Sequence, residues 1–396
     1  MRVAFLYNAQ DHHILHSLPI ACELSAHYPD IAVTVLCRTE DQLALARHLA
    51  ALYPGHSIDF MTLRSPLFAR RRRCTKRMGK FATLVANRGR LNSFDALVVP
   101  ERTSLLLKRF GVKRPRYIHS FHGSSGHDRV DDPRLARFDL LLAPSDKRLD
   151  RIAGTRGLDP ARTAVIGYAK LDLVRRLEAR PRPLFANAKP TILYNPHHWT
   201  NKSSWHAMGR QLLDHFAARS DYNLIFAPHV RLFDPPGRHE AAFARYREHD
   251  HILVDLGSER SIDMSYTLAA DVYLGDVSSQ VIEFLVRPRP CIFLNPRGLQ
   301  WETDPDFASW RLGRVVATIG EMDEALASRA QWQPRFEPAQ RKAADQAFEQ
   351  LPTPAPIRGA QAIAAFLRDG ALNPGWDEAL PPSASVSPPS PVAASA

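Results

Sequence analysis

Four cysteines in 396 residues, at positions 22, 37, 74 and 291, show no paired spacing. The chain therefore offers neither a disulfide framework nor a cysteine zinc motif, and a reducing, cytoplasmic compartment is expected. It also lacks any apolar run near the roughly 20 residues that cross a bilayer. Its start, "MRVAFLYNAQDHH", is a short strand-like run that soon turns polar rather than a secretory leader. Locally, the scarcest element is negative charge. From Arg64 to Arg90 there is no acid against ten Lys and Arg, which is nearly all of the net charge of +11. With Leu67, Phe68, Met78, Phe81 and Leu84 interleaved, this stretch suits an amphipathic element on an anionic membrane surface. The expected contacts are Arg70, Arg71, Arg72, Arg73, Lys76 and Arg77, which would keep the protein at the inner face of the cell membrane. The alternative is a solvated basic face. No nucleic-acid module accompanies the charge, so nucleic acid is the least expected partner.

What is present is a repeated alternation. Strand-like runs at Val3–Leu6, Val33–Leu36, Ile58–Phe60, Ala96–Val99, Tyr117–His119, Leu140–Leu142 and Ala164–Ile166 are separated by helical stretches. Three prolines in "LEARPRPLFANAKP" interrupt the series, and a second begins at Thr191–Tyr194. It continues at Asn223–Phe226, Ile252–Val254, Val272–Leu274, Ile292–Leu294 and Val315–Ala317, and Pro338 to about Leu367 looks helical. Alternating β and α elements imply parallel sheets wrapped by helices. The expected class is α/β, with two Rossmann-like domains facing each other across a cleft. Residues 1–176 form the first domain, with the basic segment 64–90 inside it, and 177–190 form a linker. Residues 191–370 form the second domain, and 371–396 form a Pro/Ser/Ala tail expected to be disordered.

Ligands bind at the carboxyl ends of strands in such sheets. In "ADVYLGDVSSQVIEF" a strand delivers Asp276, Ser278 and Ser279 into a helix start, where the serines either hold a phosphate or merely cap the helix. "YIHSFHGSSGH" places His122, Gly123, Ser124 and Ser125 at another strand end, with an imidazole suited to general-base work. His119 alternates to the other side and is expected to be structural. The set 119, 122 and 127 has no acidic or cysteine ligand to complete it, so no metal is expected. "YNPHHW" contributes His197, "APHVRLF" contributes His229 and Arg231, and "GYAKLD" ends the last strand of the first domain. A protonated histidine or an arginine at these ends can clamp a diphosphate.

These stretches resemble the CDP-glycerol glycerophosphotransferase family, which includes teichoic-acid primases and polymerases with a GT-B fold. The likeness runs over about residues 110–300 and is best in "ADVYLGDVSSQVIEFLVRPRPCIFLNP". Departures fall at "HGSSGHDR" and "PHHW", where acceptor or donor head group would be read. The resemblance implies donor-phosphate binding by Ser278, Ser279 and His229, proton abstraction by His122, and no cofactor. It implies a donor such as CDP-glycerol, a lipid-linked glycan acceptor and CMP as product. The alternatives are a UDP-sugar glycosyltransferase or epimerase, and a non-enzymatic binder of membranes or polyanions.

Overall fold

The computed structural model describes residues 1–65, 76–122, 132–178, 183–349 and 351–377. A seven-stranded sheet contains β1 (Arg2–Tyr7), β2 (Ala32–Cys37), β3 (Asp59–Thr62), β4 (Ala96–Val99), β5 (Arg116–Ser120), β6 (Leu140–Ala143) and β7 (Thr163–Val165). Their spatial order is β3-β2-β1-β4-β5-β6-β7, and every pairing is parallel. A six-stranded sheet follows, with β8 (Thr191–Asn195), β9 (Asn223–Phe226), β10 (Ile252–Val254), β11 (Val272–Gly275), β12 (Cys291–Leu294) and β13 (Arg314–Val316). Its order, β10-β9-β8-β11-β12-β13, is again all parallel. Both sheets reverse direction beside their first strand, which creates a crevice at that point.

The inner strands are apolar on both sides because helices cover both faces, while edge strand β3 is partly exposed. Val3 to Tyr7 in β1 and Ile192 to Tyr194 in β8 are completely buried. Two apolar layers flank the first sheet and two flank the second. A fifth cluster joins the halves: Tyr168, Leu171 and Val174 pack with Met264, Leu268, Ala344, Ala347 and Phe348.

The helical stretch expected from Pro338 to Leu367 is two helices, Arg329–Phe348 and Ala355–Asp369. Pro352 and Pro354 lie between them, and proline cannot continue a helix from its amino side. Helix Ala355–Asp369 falls within the span assigned to the second domain, yet it packs on the first sheet. Its Ala360, Ile363, Phe366 and Leu367 share a cluster with Ile14, Leu18 and Leu24. Arg116 donates to the Phe366 carbonyl at 2.9 Å, and Arg358 donates to that of Val165 at 2.9 Å. Apolar area decides the location: the helix fills a groove beside helix His12–His27 that the first 176 residues leave open.

Among the described residues no helix is long and apolar enough to cross a membrane. Arg70, Arg71, Arg72 and Arg73 lie outside the described residues, as do the side chains of Lys76 and Arg77 at the start of helix Lys76–Ala86. Of the tail expected from 371 onward, residues 371–377 are ordered, with Leu372 buried in the first half's core, and the remainder from 378 lies outside the described residues.

Candidate active site

Strand order gathers the polar loops. In the first sheet β1, β4 and β5 are neighbours, so the loop after β1 ("NAQDHH"), Pro100 after β4 and His122 after β5 meet at one end. In the second, β9, β8 and β11 are neighbours, and they deliver His229, His197 and Ser278 side by side. A cavity of about 290 Å³ lies between the two ends. Gln10, His12, His16, His122 and Lys170 line it from the first domain. The second domain contributes His229, Val230, Arg231, Ile262, Ser278, Ser279, Gln280 and Glu283.

His122 is set up as an acceptor. Its Nδ1 lies 2.8 Å from the carbonyl oxygen of Pro100, which can only accept. Nδ1 therefore carries the proton, and the Nε2 lone pair is left for another partner. Burial lowers the pKa of His122 below the usual histidine value, against the opposing pull of the Pro100 carbonyl and Glu101. The imidazole is neutral at pH 7 and ready to take a proton. His119 is the structural residue expected. It is buried, bonds the Val99 carbonyl through Nδ1 at 3.0 Å, stacks on Phe138 at 4.8 Å, and its pKa is pushed down to about 3 by burial.

Across the cavity, His229 Nδ1 accepts the backbone N–H of Arg231 at 3.2 Å, so its Nε2 bears the hydrogen. Burial, with His198, His197 and Arg231 nearby, pushes its pKa to about 3. The ring is therefore a neutral donor, not the cation that a clamp on an anion suggests. Arg231 reaches the first domain: Gln10, with its amide oxygen turned toward the guanidinium, accepts from Nε at 3.0 Å. Ser278 does cap helix Ser279–Phe284, accepting the Gln280 N–H at 3.2 Å, and it lines the cavity too. Capping and ligand binding are compatible, since a hydroxyl that accepts one bond still has a proton to donate.

Asp276 and His197 do not line the cavity. Asp276 is completely buried, where one carboxylate oxygen accepts the N–H groups of His197 and Ser204, both at 2.9 Å. Burial raises its pKa to about 7. It ties the loop after β8 to the loop after β11, and Gly275 permits the close approach. With φ at +157°, a Cβ on Gly275 would sit 2.7 Å from the Asn195 carbonyl oxygen. His197 uses its Nδ1 to accept the Trp199 N–H at 2.9 Å and lies 5.5 Å, ring to ring, from His229. Gly123, Ser124 and Ser125 lie outside the described residues.

Sequence reasoning missed His12, His16, Lys170 and Glu283. Lys170 Nζ and Glu283 are 2.7 Å apart across the domains, and the Tyr168 hydroxyl donates to the same oxygen at 2.7 Å. The signal for the histidines was the "QDHHILH" stretch at the end of β1, which obeys the same strand-end rule as the others.

Residues 99–352, well over half of the chain, match the family described as CDP-Glycerol:Poly(glycerophosphate) glycerophosphotransferase. Among solved structures, the chain is similar to UDP-GlcNAc 2-epimerase from Neisseria meningitidis bound to UDP-GlcNAc. That likeness has 12% identity and a TM-score of 0.59, and covers 93% of this chain and 100% of the other. It is also similar to the wall teichoic acid polymerase TagF with CDPG, at 13% identity and a TM-score of 0.57, covering 93% and 88%. The shared architecture is the GT-B fold. A search of curated proteins finds no match.

Proposed function

Because the chain belongs to the CDP-glycerol:poly(glycerophosphate) glycerophosphotransferase family, we propose that this enzyme moves glycerol phosphate, or a related phospho-polyol, from a CDP-activated donor to a membrane-associated glycan acceptor. The observation that carries the reading is the opposition of two chemistries across one cavity. A neutral His122 with its Nε2 lone pair available faces Ser278, Ser279, His229 and Arg231, all able to donate to an anion.

The donor diphosphate lies along Ser278, Ser279, His229 and Arg231. An acceptor hydroxyl oxygen attacks the β-phosphorus while its proton passes to His122 Nε2. The bond from the β-phosphorus to the bridging oxygen breaks, and CMP leaves with that electron pair. Positioning and electrostatic stabilisation suffice for such a transfer, with no covalent nucleophile. The basic segment 64–90 brings the enzyme to a lipid-linked acceptor at the inner face of the cell membrane.

The decisive experiment offers CDP-glycerol, CDP-ribitol and UDP-sugars with a lipid-linked glycan acceptor and measures the released nucleotide. CMP from a CDP-polyol supports the reading. UDP released from a UDP-sugar, with no CMP from either CDP-polyol, makes the protein a sugar-nucleotide enzyme instead.

A further inference from the structure

The imidazoles of the first domain form a cluster that proton transfer alone does not require. His12 and His13 begin helix His12–His27, and His122 approaches from β5. Ring centroids lie 4.5 Å apart for His12 and His13, 4.2 Å for His13 and His122, and 6.0 Å for His12 and His122. One ring nitrogen from each lies within 4.8 Å of the other two. We infer that His12, His13 and His122 form a site for a divalent transition-metal ion of the zinc class, with its remaining coordination position open to the cavity.

The donor set selects the metal. Three imidazoles suit zinc, cobalt, nickel or copper, whereas magnesium and calcium demand oxygen ligands. Metal-binding histidines coordinate through an unprotonated ring nitrogen. Metal-ligating histidines also anchor their second ring nitrogen, as the Pro100 carbonyl does for His122 at 2.8 Å. Tetrahedral zinc with nitrogens at 2.0–2.1 Å needs them about 3.3 Å apart. Metal binding therefore requires the rings to draw together from separations of up to 4.8 Å.

Neighbouring charges set the strength. Glu101 favours positive charge at His122, and Arg102 and Arg148 oppose it. Lys170 and Arg231 oppose it at His12, although Lys170 is paired with Glu283 at 2.7 Å. The site is therefore weaker than a closed structural zinc site. Its consequence rests on the reading of His122 as the base. A metal on Nε2 occupies the lone pair that takes the acceptor's proton, so the loaded enzyme is blocked.

The test uses the metal-stripped full chain titrated with Co²⁺, whose visible ligand-field bands report histidine coordination. One equivalent should bind and be displaced by one equivalent of Zn²⁺. His13→Asn and, separately, His12→Asn should each weaken binding at least by the roughly 10–100-fold that loss of an outer-shell partner costs. Circular dichroism of both variants checks their folding. In each protein, transfer is also measured with and without Zn²⁺. Inhibition in the parent should be relieved by chelator and shrink in His13→Asn. No bands in the parent overturn the inference, as do bands that persist in both variants, which assign the metal to others of the chain's 17 histidines. A parent that binds Co²⁺ as described yet never releases CMP leaves the metal site standing and removes the transferase reading, so the two failures are distinguishable.

Discussion

Lys170 and Glu283 form a buried ion pair that crosses the domains, with Nζ 2.7 Å from the carboxylate and side chains only 4% and 7% exposed. Glu283 lies on the helix that Ser278 caps, and Lys170 follows the last strand of the first sheet. The contact therefore fixes where the serine loop stands relative to His122. Glu283→Gln strands a buried ammonium and should cost about 3–5 kcal/mol, whereas Lys170→Met with Glu283→Met should restore most of that loss. Urea unfolding of the parent and the two variants measures both. A double variant no more stable than the single one would show that the pair is not coupled.

Ser279→Ala and His229→Ala should each weaken CDP-glycerol binding by about 1.5–3 kcal/mol, the worth of a hydrogen bond to a charged group. Calorimetric titration checks this. Parental affinity in both variants would place the diphosphate elsewhere.

His122→Ala should lower turnover roughly 10²–10⁴-fold with donor affinity nearly intact. A base works unprotonated, and burial lowers the pKa of His122, so activity should hold as pH falls past the ordinary histidine value near 6.5 and fail only below it. An acid limb of kcat/KM centred above pH 7 would remove His122 from the role.

Asp276 predicts a stability profile. Its folded pKa of about 7 exceeds the usual carboxylate value of 3.8, so the fold favours the protonated form. The penalty is absent below pH 4, grows through pH 7 and then levels off, with a slope of at most about 1.4 kcal/mol per pH unit. Buried histidines with lowered pKa values, such as His119 and His229, tilt stability the opposite way in acid. The informative quantity is therefore the difference between Asp276→Asn and the parent, which should move in favour of the variant from pH 5 to pH 7.5. Denaturation at three pH values reads it, and a constant difference would contradict a raised pKa.

The basic segment predicts binding to anionic but not zwitterionic vesicles, weakening with salt. Each engaged basic residue contributes about 1 kcal/mol at such a surface. Replacing Arg70 to Arg73 with alanine should release the protein while nucleotide binding persists. Co-sedimentation decides, and a parent that ignores anionic vesicles at low salt ends the membrane role.

The thirteen strands were legible because most are short apolar runs, and the central ones, such as β1 and β8, are buried on both faces. Ser278, His122 and His229 were legible from the strand-end rule. The convergence of His12 on His122 was not, because it depends on β1, β4 and β5 being neighbours, and no local pattern states a strand order. Lys170 and Glu283 are 113 residues apart, beyond any periodicity. Asp276 misled because an acid after a strand normally faces the crevice. Here the turn at Gly275 folds it under the neighbouring backbone.

Helix Ala355–Asp369, seated on the first sheet, also dictates a timetable for synthesis. A ribosome that has released the first 176 residues has released seven strands but not the helix that covers part of their surface. Ala360, Ile363, Phe366 and Leu367, followed by Leu372 of the same cluster, emerge only after the whole second sheet. The nascent first half must wait with an open apolar groove, exposed to chaperones or to neighbouring chains. A gene cut after the linker would make that waiting state permanent, and exchanging domains between relatives requires carrying this distant helix along.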